Sequence, residues 1–402
     1  MFQYARGPRL DSKPNHAQER VRKKKAAKSP ETYLLSKNHL IDCFHKIRST
    51  AGKTPGPDNV RFDSFGESKW ERILGLLASS IKNGIYQPGP TKPFTITLPK
   101  QRTIQIPNLI DRVASRACME ALTPLTEKLF VAWSYGYRPK RSHMHVFAHI
   151  EKAYEHGCVY LAHFDAKKAF DRVNVRKLRT LIRGLEAPWK VKTLAESIVQ
   201  CGLKDMDDSD NLLGISQGNS LSGLLFNLYV HHCHDKEVSK HLGNEEEGLQ
   251  VYRYADDFVV VGKEKESVNR LMQHSMGLLQ EGGLECAYEE PVNLKDGSID
   301  VLGLTISSNG SNIEIRLPEA SWSQLATKLD EALNQDFPTC LSKQVIRSWR
   351  QAVNPVTWTV EYQERLVSLL ESHGLNPDPQ EYLPKQDWSQ DKDDLLKGFT
   401  HS

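Results

Sequence analysis

The sequence predicts an α+β protein in which antiparallel strand pairs alternate with amphipathic helices and the C-terminal third is helical. Three observations lead to this fold class. Short runs of alternating apolar and polar residues come in pairs joined by brief turns, which is typical of β-hairpins. Longer segments carry apolar residues at helical spacing. The 402 residues are enough for two to four structural units, at about 100–200 residues per unit.

In chain order, the N-terminal half begins with helices and continues with a hairpin. Helical spacing predicts helices over 34–47, 70–81 and 111–129, with Asp111 as the N-cap of the third. Alternation predicts strands over 94–98 and 103–106, joined by a turn at Lys100-Gln101-Arg102. The hairpin tip is therefore basic.

The middle of the chain combines strands that end in acidic residues with apolar helices. One strand, 159–164, ends at Asp165, and two more, 250–254 and 258–262, are joined by Ala255-Asp256-Asp257. Helices are predicted over 175–185, 189–198, 221–234 and 267–280. A second hairpin, with strands over 301–306 and 312–316, is followed by helices over 322–333, 341–353 and 362–373.

The composition is that of an ordinary globular protein. The chain is 39% hydrophobic and 26% charged, with a formal net charge of +3, which excludes a wholly disordered chain, a coiled coil and a collagen. It has no apolar run near the roughly 18 residues of a membrane helix and no secretory signal, so we expect a cytoplasmic protein without a membrane partner. The seven cysteines form no CxxC pair, which disfavours a disulfide framework and a structural zinc site.

The two ends of the chain carry opposite charge. Residues 1–30 contain nine basic and two acidic residues, whereas 371–402 contain seven acidic and three basic ones. A basic arm indicates a polyanionic partner, although a solvated, disordered end also explains it. We therefore treat 1–30 as a basic N-terminal arm and 377–402 as an acidic C-terminal tail without an assigned role.

Three aspartates at strand ends carry the strongest chemical signal. Asp165 ends one strand, and Asp256 and Asp257 are adjacent at the tip of a hairpin. Neighbouring carboxylates repel each other, and a divalent cation relieves the repulsion. Two such metals can activate a 3′-hydroxyl and stabilise a leaving pyrophosphate. Simple turn chemistry is the alternative for an Asp-Asp pair, and only a fold that joins the two strands would unite Asp165 with Asp256.

Two stretches contain these aspartates: Tyr254-Ala255-Asp256-Asp257, and the stretch from Phe164 to Asp171. They resemble the YxDD box and the preceding palm motif of bacterial reverse transcriptases, nearest to the group II intron-like and defence-associated branches. Four further stretches follow the order of the family: the fingers segment 99–112, the GFRPxRS-like box 135–142, the QG…S…L…LY-like box 216–229 and the primer-grip-like hairpin at 301–304. One such box would be weak evidence, but six in order are specific.

This resemblance implies a right-hand polymerase fold with fingers, an antiparallel palm sheet and a helical thumb. We assign 31–150 to an N-terminal extension and the fingers, 151–306 to the palm with some finger elements, and 307–376 to the thumb. The same resemblance implies that the protein is an RNA-directed DNA polymerase, a nucleotidyltransferase that uses two Mg²⁺ ions. Mn²⁺ would be a possible substitute. Its partners would be an RNA template, dNTPs and the cDNA product.

The resemblance also implies a role for individual residues. Asp165 and Asp256 would bind both metals, Asp257 would support them, and the Ala166 carbonyl would add a ligand. The dNTP would contact Lys100, Arg102, Phe170, Gln217 and Gly218, with Phe170 excluding a 2′-hydroxyl. The template and primer would contact Arg138, Arg141, Tyr254, Leu302 and Gly303. Purely structural roles are the alternatives. Lys100 and Arg102 would then be ordinary charges at a hairpin tip, Arg138 and Arg141 would form surface ion pairs, and Phe170 would pack in the core.

One departure from the family pattern leaves a role unfilled. Glu289 and Glu290 stand where the family carries Lys-Thr, so the proton donor for the leaving pyrophosphate is unassigned. By association with the family, we expect antiphage defence with a structured non-coding RNA. An intron-encoded reverse transcriptase and maturase, a catalytically weak RNA-binding scaffold, and protein-primed synthesis are the alternatives.

Overall fold

The computed structural model describes residues 34–50, 54–96, 102–201, 212–242, 248–334, 338–375 and 388–397. The predicted basic arm and the Lys100 position lie outside these ranges. Within them, no helix combines the length and the apolarity needed to cross a bilayer.

The N-terminal part packs three helices beside a two-stranded hairpin. Its elements are α1 (Lys37–Thr50), α2 (Glu67–Lys82), β1 (Lys92–Ile96), β2 (Arg102–Ile106) and α3 (Leu109–Thr126). The prediction that Asp111 caps α3 is wrong, because the helix begins at Leu109 after Asn108. Asp111 is buried instead, and its carboxylate accepts hydrogen bonds from the Tyr86 hydroxyl and the Gly89 amide.

The centre of the molecule is a four-stranded antiparallel sheet in the order β4-β5-β3-β6. The strands are β3 (Tyr160–Asp165), β4 (Gln250–Tyr254), β5 (Asp257–Gly262) and β6 (Val292–Asn293). Alternate residues of β5 enter two different cores: Phe258 and Val260 pack with Phe164 on one face, and Val259 and Val261 on the other. The sheet is therefore covered on both faces, which fixes its register.

Helices cover both faces of this sheet. They are α4 (His143–Glu155), α5 (Ala169–Arg172), α6 (Val175–Gly184), α7 (Trp189–Cys201), α8 (Ser222–Val230), α9 (Lys236–Val238) and α10 (Lys265–Glu281). Helix α4 was not expected from the sequence. The helix predicted to run to His234 ends at Val230 and continues as a π-helical turn over His231–Asp235, and a 3₁₀ turn over Ser239–His241 follows α9.

The C-terminal part begins with a three-stranded sheet. Its strands are β7 (Ile299–Val301), β8 (Leu304–Ser308) and β9 (Ile313–Arg316). The single strand predicted over 301–306 is wrong, because Leu302 and Gly303 form a turn with φ of 49° and 82° between β7 and β8. The predicted palm–thumb boundary at 306/307 falls inside β8.

Beyond this sheet, the described residues form four helices: α11 (Glu319–Leu333), α12 (Pro338–Ala352), α13 (Val360–Ser372) and α14 (Trp388–Lys397). Helix α14 lies within the predicted acidic tail and docks on α4. Trp388 Nε1 donates to Glu151 at 2.6 Å, and Lys392 Nζ lies 3.1 Å from both Glu151 and Glu155. Part of the tail is thus a helix held by three side-chain contacts to α4.

Candidate active site

Pairing of β3 with β5 brings the three strand-end aspartates together. Asp165 is directly opposite Asp257 in the register, and Asp256 occupies the turn between β4 and β5. The Ala166 amide donates to the Asp256 carbonyl at 3.0 Å, which ties the two strand ends to each other. Sheet topology thus unites the carboxylates that the sequence separates by 91 positions.

Negative charge accumulates at this end of the sheet. Burial, followed by the charges of Asp257 and then Asp165, raises the pKa of Asp256 to about 6. Asp257 accepts a hydrogen bond from His163 Nε2 at 3.0 Å. His163 lies two residues before Asp165 on the same face of β3, and this spacing is the only signal in the sequence that could have identified it.

The donor set suits a hard divalent cation. It consists of carboxylate oxygens, the ligands that Mg²⁺ prefers, and Mg²⁺ needs only one or two carboxylates when substrate phosphates complete its coordination. A cation would also relieve the repulsion that raises the pKa of Asp256. The residues present therefore fit the implied metal, and the roles of Asp165 and Asp256 as its ligands stay predictions.

A tighter cluster of potential ligands lies elsewhere in the described residues, in the N-terminal part. His39, Cys43 and Glu120 have ligand atoms within 4.8 Å of one another, a spacing that the three aspartates do not meet. His39 Nδ1 accepts from the Leu35 amide, and Glu120 is paired with Lys46 and Arg116. Burial raises the pKa of the Cys43 thiol well above its usual range. Glu120 is thus engaged in a partly exposed ion-pair network, and burial disfavours the thiolate form of Cys43.

Close backbone packing supports the turn that carries Asp256. Ala255 adopts a left-handed conformation with φ of 60°. A Cβ on Gly136 would lie 2.2 Å from the Ala255 nitrogen, so only glycine fits there. The GFRPxRS-like box therefore packs directly against the YxDD-like turn. This contact is possible because Gly136 has no side chain.

Three residues predicted to contact the dNTP, Phe170, Gln217 and Gly218, pack among aromatic rings or against β2. Phe170 stacks on Phe226, with ring centroids 4.8 Å apart, and meets the Tyr137 ring edge-on at 5.9 Å. The Gln217 carbonyl accepts from the Gln105 amide of β2 at 2.8 Å, and Gly218 has φ of 102°. The fingers hairpin is thus joined to the palm next to Phe170. Arg102 begins β2, and the dNTP contacts stay predictions.

The two arginines predicted to bind the template are engaged within the protein. Arg138 is 2% exposed, forms a bidentate pair with Glu127 and donates to the Val131 and Ser134 carbonyls. Arg141 donates to the Ala132 and Ser134 carbonyls and lies over the Tyr135 ring. Both guanidinium groups brace the loop that presents Gly136. Their contact with the template stays a prediction.

Three residues predicted to bind the primer lie near helices α4, α11 and α12. Tyr254 is half-buried, and its ring meets His143 edge-on at 6.1 Å. Burial, followed by the charge of Asp257, raises the pKa of the Tyr254 hydroxyl. The Leu302-Gly303 turn lines a cavity of 540 Å³ with Trp349 and other residues of α11 and α12. These primer contacts also stay predictions.

A match to a known protein family identifies the class of protein that carries this site. Residues 90–306 match the family described as reverse transcriptase (RNA-dependent DNA polymerase), which is more than half of the chain and includes all three aspartates. The chain belongs to the reverse transcriptase family. The expected right-hand polymerase fold is thereby confirmed, and the β4-β5-β3-β6 sheet of this reverse transcriptase is its palm.

Individual relatives of this reverse transcriptase are distant. The group II intron-encoded protein LtrA of Lactococcus lactis subsp. cremoris is 28% identical over 204 residues, which are 50% of this chain and 33% of that protein. Protein YkfC of Escherichia coli is 26% identical over 278 residues, 60% of this chain and 71% of YkfC. The match therefore spans about a third of the length of the intron-encoded relative.

Among solved structures, a telomerase from Candida tropicalis in complex with a fragment of telomeric RNA is similar. It is 14% identical, with a TM-score of 0.44, and the match covers 85% of this reverse transcriptase and 67% of the telomerase chain.

Proposed function

We propose that this reverse transcriptase is an RNA-directed DNA polymerase that builds cDNA from dNTPs on an RNA template, with two Mg²⁺ ions. One observation carries the proposal: the β3–β5 register places Asp165 opposite Asp257 beside the Asp256 turn, within the segment that matches the family.

The residues of the site have separate tasks in this proposal. Asp165 and Asp256 hold the metals together with the Ala166 carbonyl, and Asp257 supports them while bonded to His163. Bound Mg²⁺ would supply a lowered pKa for the primer 3′-hydroxyl and charge neutralisation for the leaving pyrophosphate. Lys100 and Arg102 clamp the triphosphate, because cations stabilise the charge that develops in phosphoryl transfer.

The region where the family carries Lys-Thr offers no cation at the matching positions. Glu289 and Glu290 are exposed, and Glu290 pairs with Lys265 at 3.1 Å. A lysine therefore does not supply this proton from position 289 or 290.

The test is incorporation of labelled dNTPs by the purified protein on a primed RNA template in Mg²⁺. Asp256→Asn should reduce incorporation to background, because the amide keeps the shape but loses the charge that holds the metal. Asp63→Asn, at an exposed position between α1 and α2, is the matched control and should retain full activity. Equal incorporation by the Asp256→Asn and wild-type proteins would refute the proposal. Absence of incorporation by the wild type would favour the RNA-binding scaffold.

For the biological setting, we propose antiphage defence in the cytoplasm with a structured non-coding RNA as template. The similarity to a group II intron-encoded protein favours an intron-encoded reverse transcriptase as the second candidate. Sequencing the RNA that co-purifies with the protein separates the two. A discrete non-coding RNA supports defence, whereas intron sequence joined to the gene supports the intron setting.

A further inference from the structure

A fully buried ion pair lies directly behind the turn that carries Asp256. Arg253 of β4 and Asp235 of the π-helical turn both have side-chain exposures of 0%. The guanidinium forms a bidentate salt bridge with the carboxylate, with Nη2–Oδ2 at 2.6 Å and Nε–Oδ1 at 3.1 Å. His234 Nδ1 donates to the same carboxylate at 2.9 Å.

The remaining arm of the guanidinium reaches the catalytic turn itself. Arg253 Nη1 donates to the Ala255 carbonyl at 3.0 Å and to Asn227 Oδ1 of α8 at 2.8 Å. Asn227 Nδ2 donates in turn to the Gly136 carbonyl at 2.7 Å. One side chain therefore connects the turn, α8 and the loop whose glycine packs against Ala255.

The backbone of Arg253 is held as firmly as its side chain. Its amide donates to the Trp133 carbonyl at 2.9 Å, and its carbonyl accepts from the Tyr135 amide at 2.7 Å. Strand β4 is thus fixed on both edges where it enters the turn. Ala255 keeps a left-handed φ that non-glycine residues rarely adopt, and the bond to its carbonyl helps to hold that conformation.

Stability alone does not account for such a pair. Removing two charges from water carries a large desolvation penalty, and well-packed apolar residues are often as stabilising as a buried ion pair. The ion pair supplies directed hydrogen bonds to neighbouring groups, which an apolar pair cannot do. Metal ligands need such support, because their oxygens must be held within about 0.5 Å of the productive geometry.

We propose that Arg253, oriented by Asp235 and Asn227, is a positioning residue that aims the Asp256 carboxylate at the metal and so sets the metal affinity of the site. The inference rests on the proposed function only in taking Asp256 as a metal ligand. Arg253 is fully buried and would act on Asp256 through its hydrogen bond to the Ala255 carbonyl.

The decisive variant replaces the ion pair with apolar residues of similar size, Arg253→Met together with Asp235→Leu. Such a replacement leaves no buried charge unpaired, so we expect the melting temperature to stay within a few degrees of the wild type. The hydrogen bond to the Ala255 carbonyl is lost, however. Mn²⁺ affinity, measured by electron paramagnetic resonance, should weaken about tenfold, as for other groups that orient metal ligands. Unchanged affinity in the folded double variant overturns the proposal.

A second variant keeps the test decisive if the double variant fails to fold. Arg253→Lys retains the charge beside Asp235 but lacks the planar fork that reaches two partners at once. It should also weaken Mn²⁺ binding, and wild-type affinity in this variant would equally overturn the proposal. Leu74→Ala, a core truncation in α2, is the control for general destabilisation. It should lower the melting temperature and leave Mn²⁺ affinity unchanged.

Metal binding also separates this inference from the proposed function. Asp256→Asn should abolish the Mn²⁺ binding that the double variant weakens, and its failure to do so would overturn the inference. A wild type that binds Mn²⁺ through Asp256 but incorporates no dNTP would refute the polymerase proposal, while the affinities still decide the role of Arg253.

Discussion

Among single residues, Phe170 is the side chain whose size we expect to decide which sugar the site accepts. Its ring is stacked on Phe226 and flanked by Tyr137, so it has little freedom to move aside for a 2′-hydroxyl. We predict that Phe170→Val raises rNTP incorporation relative to dNTP incorporation at least about tenfold, because removing the ring opens space at the sugar. Single-nucleotide extension with matched dNTP and rNTP pairs measures the ratio. An unchanged ratio in a folded variant would assign Phe170 to core packing.

At the scale of elements, the contact between the Gly136 loop and the β4–β5 turn determines the position of Asp256. A Cβ at Gly136 would lie 2.2 Å from the Ala255 nitrogen and 2.8 Å from its Cα, and neither backbone atom can move without moving the turn. We predict that Gly136→Ala lowers both the melting temperature and dNTP incorporation. The control is Gly277→Ala in α10, where an added Cβ meets nothing within 4 Å. It should raise stability by about 0.5–1 kcal/mol with full activity. Equal behaviour of the two variants would contradict the close packing.

At the scale of the whole molecule, buried histidines should make the fold sensitive to acid. Burial lowers the pKa of four histidines, His143, His145, His231 and His234. The pKa of His231 falls to about 4. Below about pH 6.5 the unfolded chain binds protons at these positions and the folded protein does not, so the free energy of unfolding falls as the pH drops towards 4. Asp111 and Asp256 have raised pKa values, so their protonation increases the free energy of unfolding as the pH falls. They are fewer than the histidines, so we expect a net loss of stability.

Urea unfolding at pH 7, 6 and 5 measures this dependence. The loss should reach at most about 1.4 kcal/mol per pH unit for each histidine that stays neutral. His231→Phe keeps an aromatic partner for Phe130, whose ring the histidine meets edge-on at 5.8 Å, and removes one titrating group. Its stability should therefore depend less steeply on pH, and a slope equal to the wild-type slope would exclude His231 as a source.

Local patterns in the sequence were sufficient where the deciding interactions are local. Period-two alternation located β3, β4 and β5, and the ordered motifs indicated the family and its fold. The sequence pattern does not predict the helix over 143–155. Histidines occupy positions that are buried or half-buried in the structure, so the apolar spacing typical of a helix is interrupted. The capping role of Asp111 was wrong because its partner, Tyr86, lies 25 residues earlier.

By itself, the sequence determined the fold class, the reverse transcriptase family and the three aspartates on which the proposed chemistry depends. These follow from residue order and spacing within short segments. Only the tertiary structure decided what holds the aspartates in place: the bond from His163 to Asp257, the room left by Gly136, and the guanidinium of Arg253 behind the turn. The physical reason is that such support is made between segments far apart in the chain, and its geometry exists only once the strands have paired.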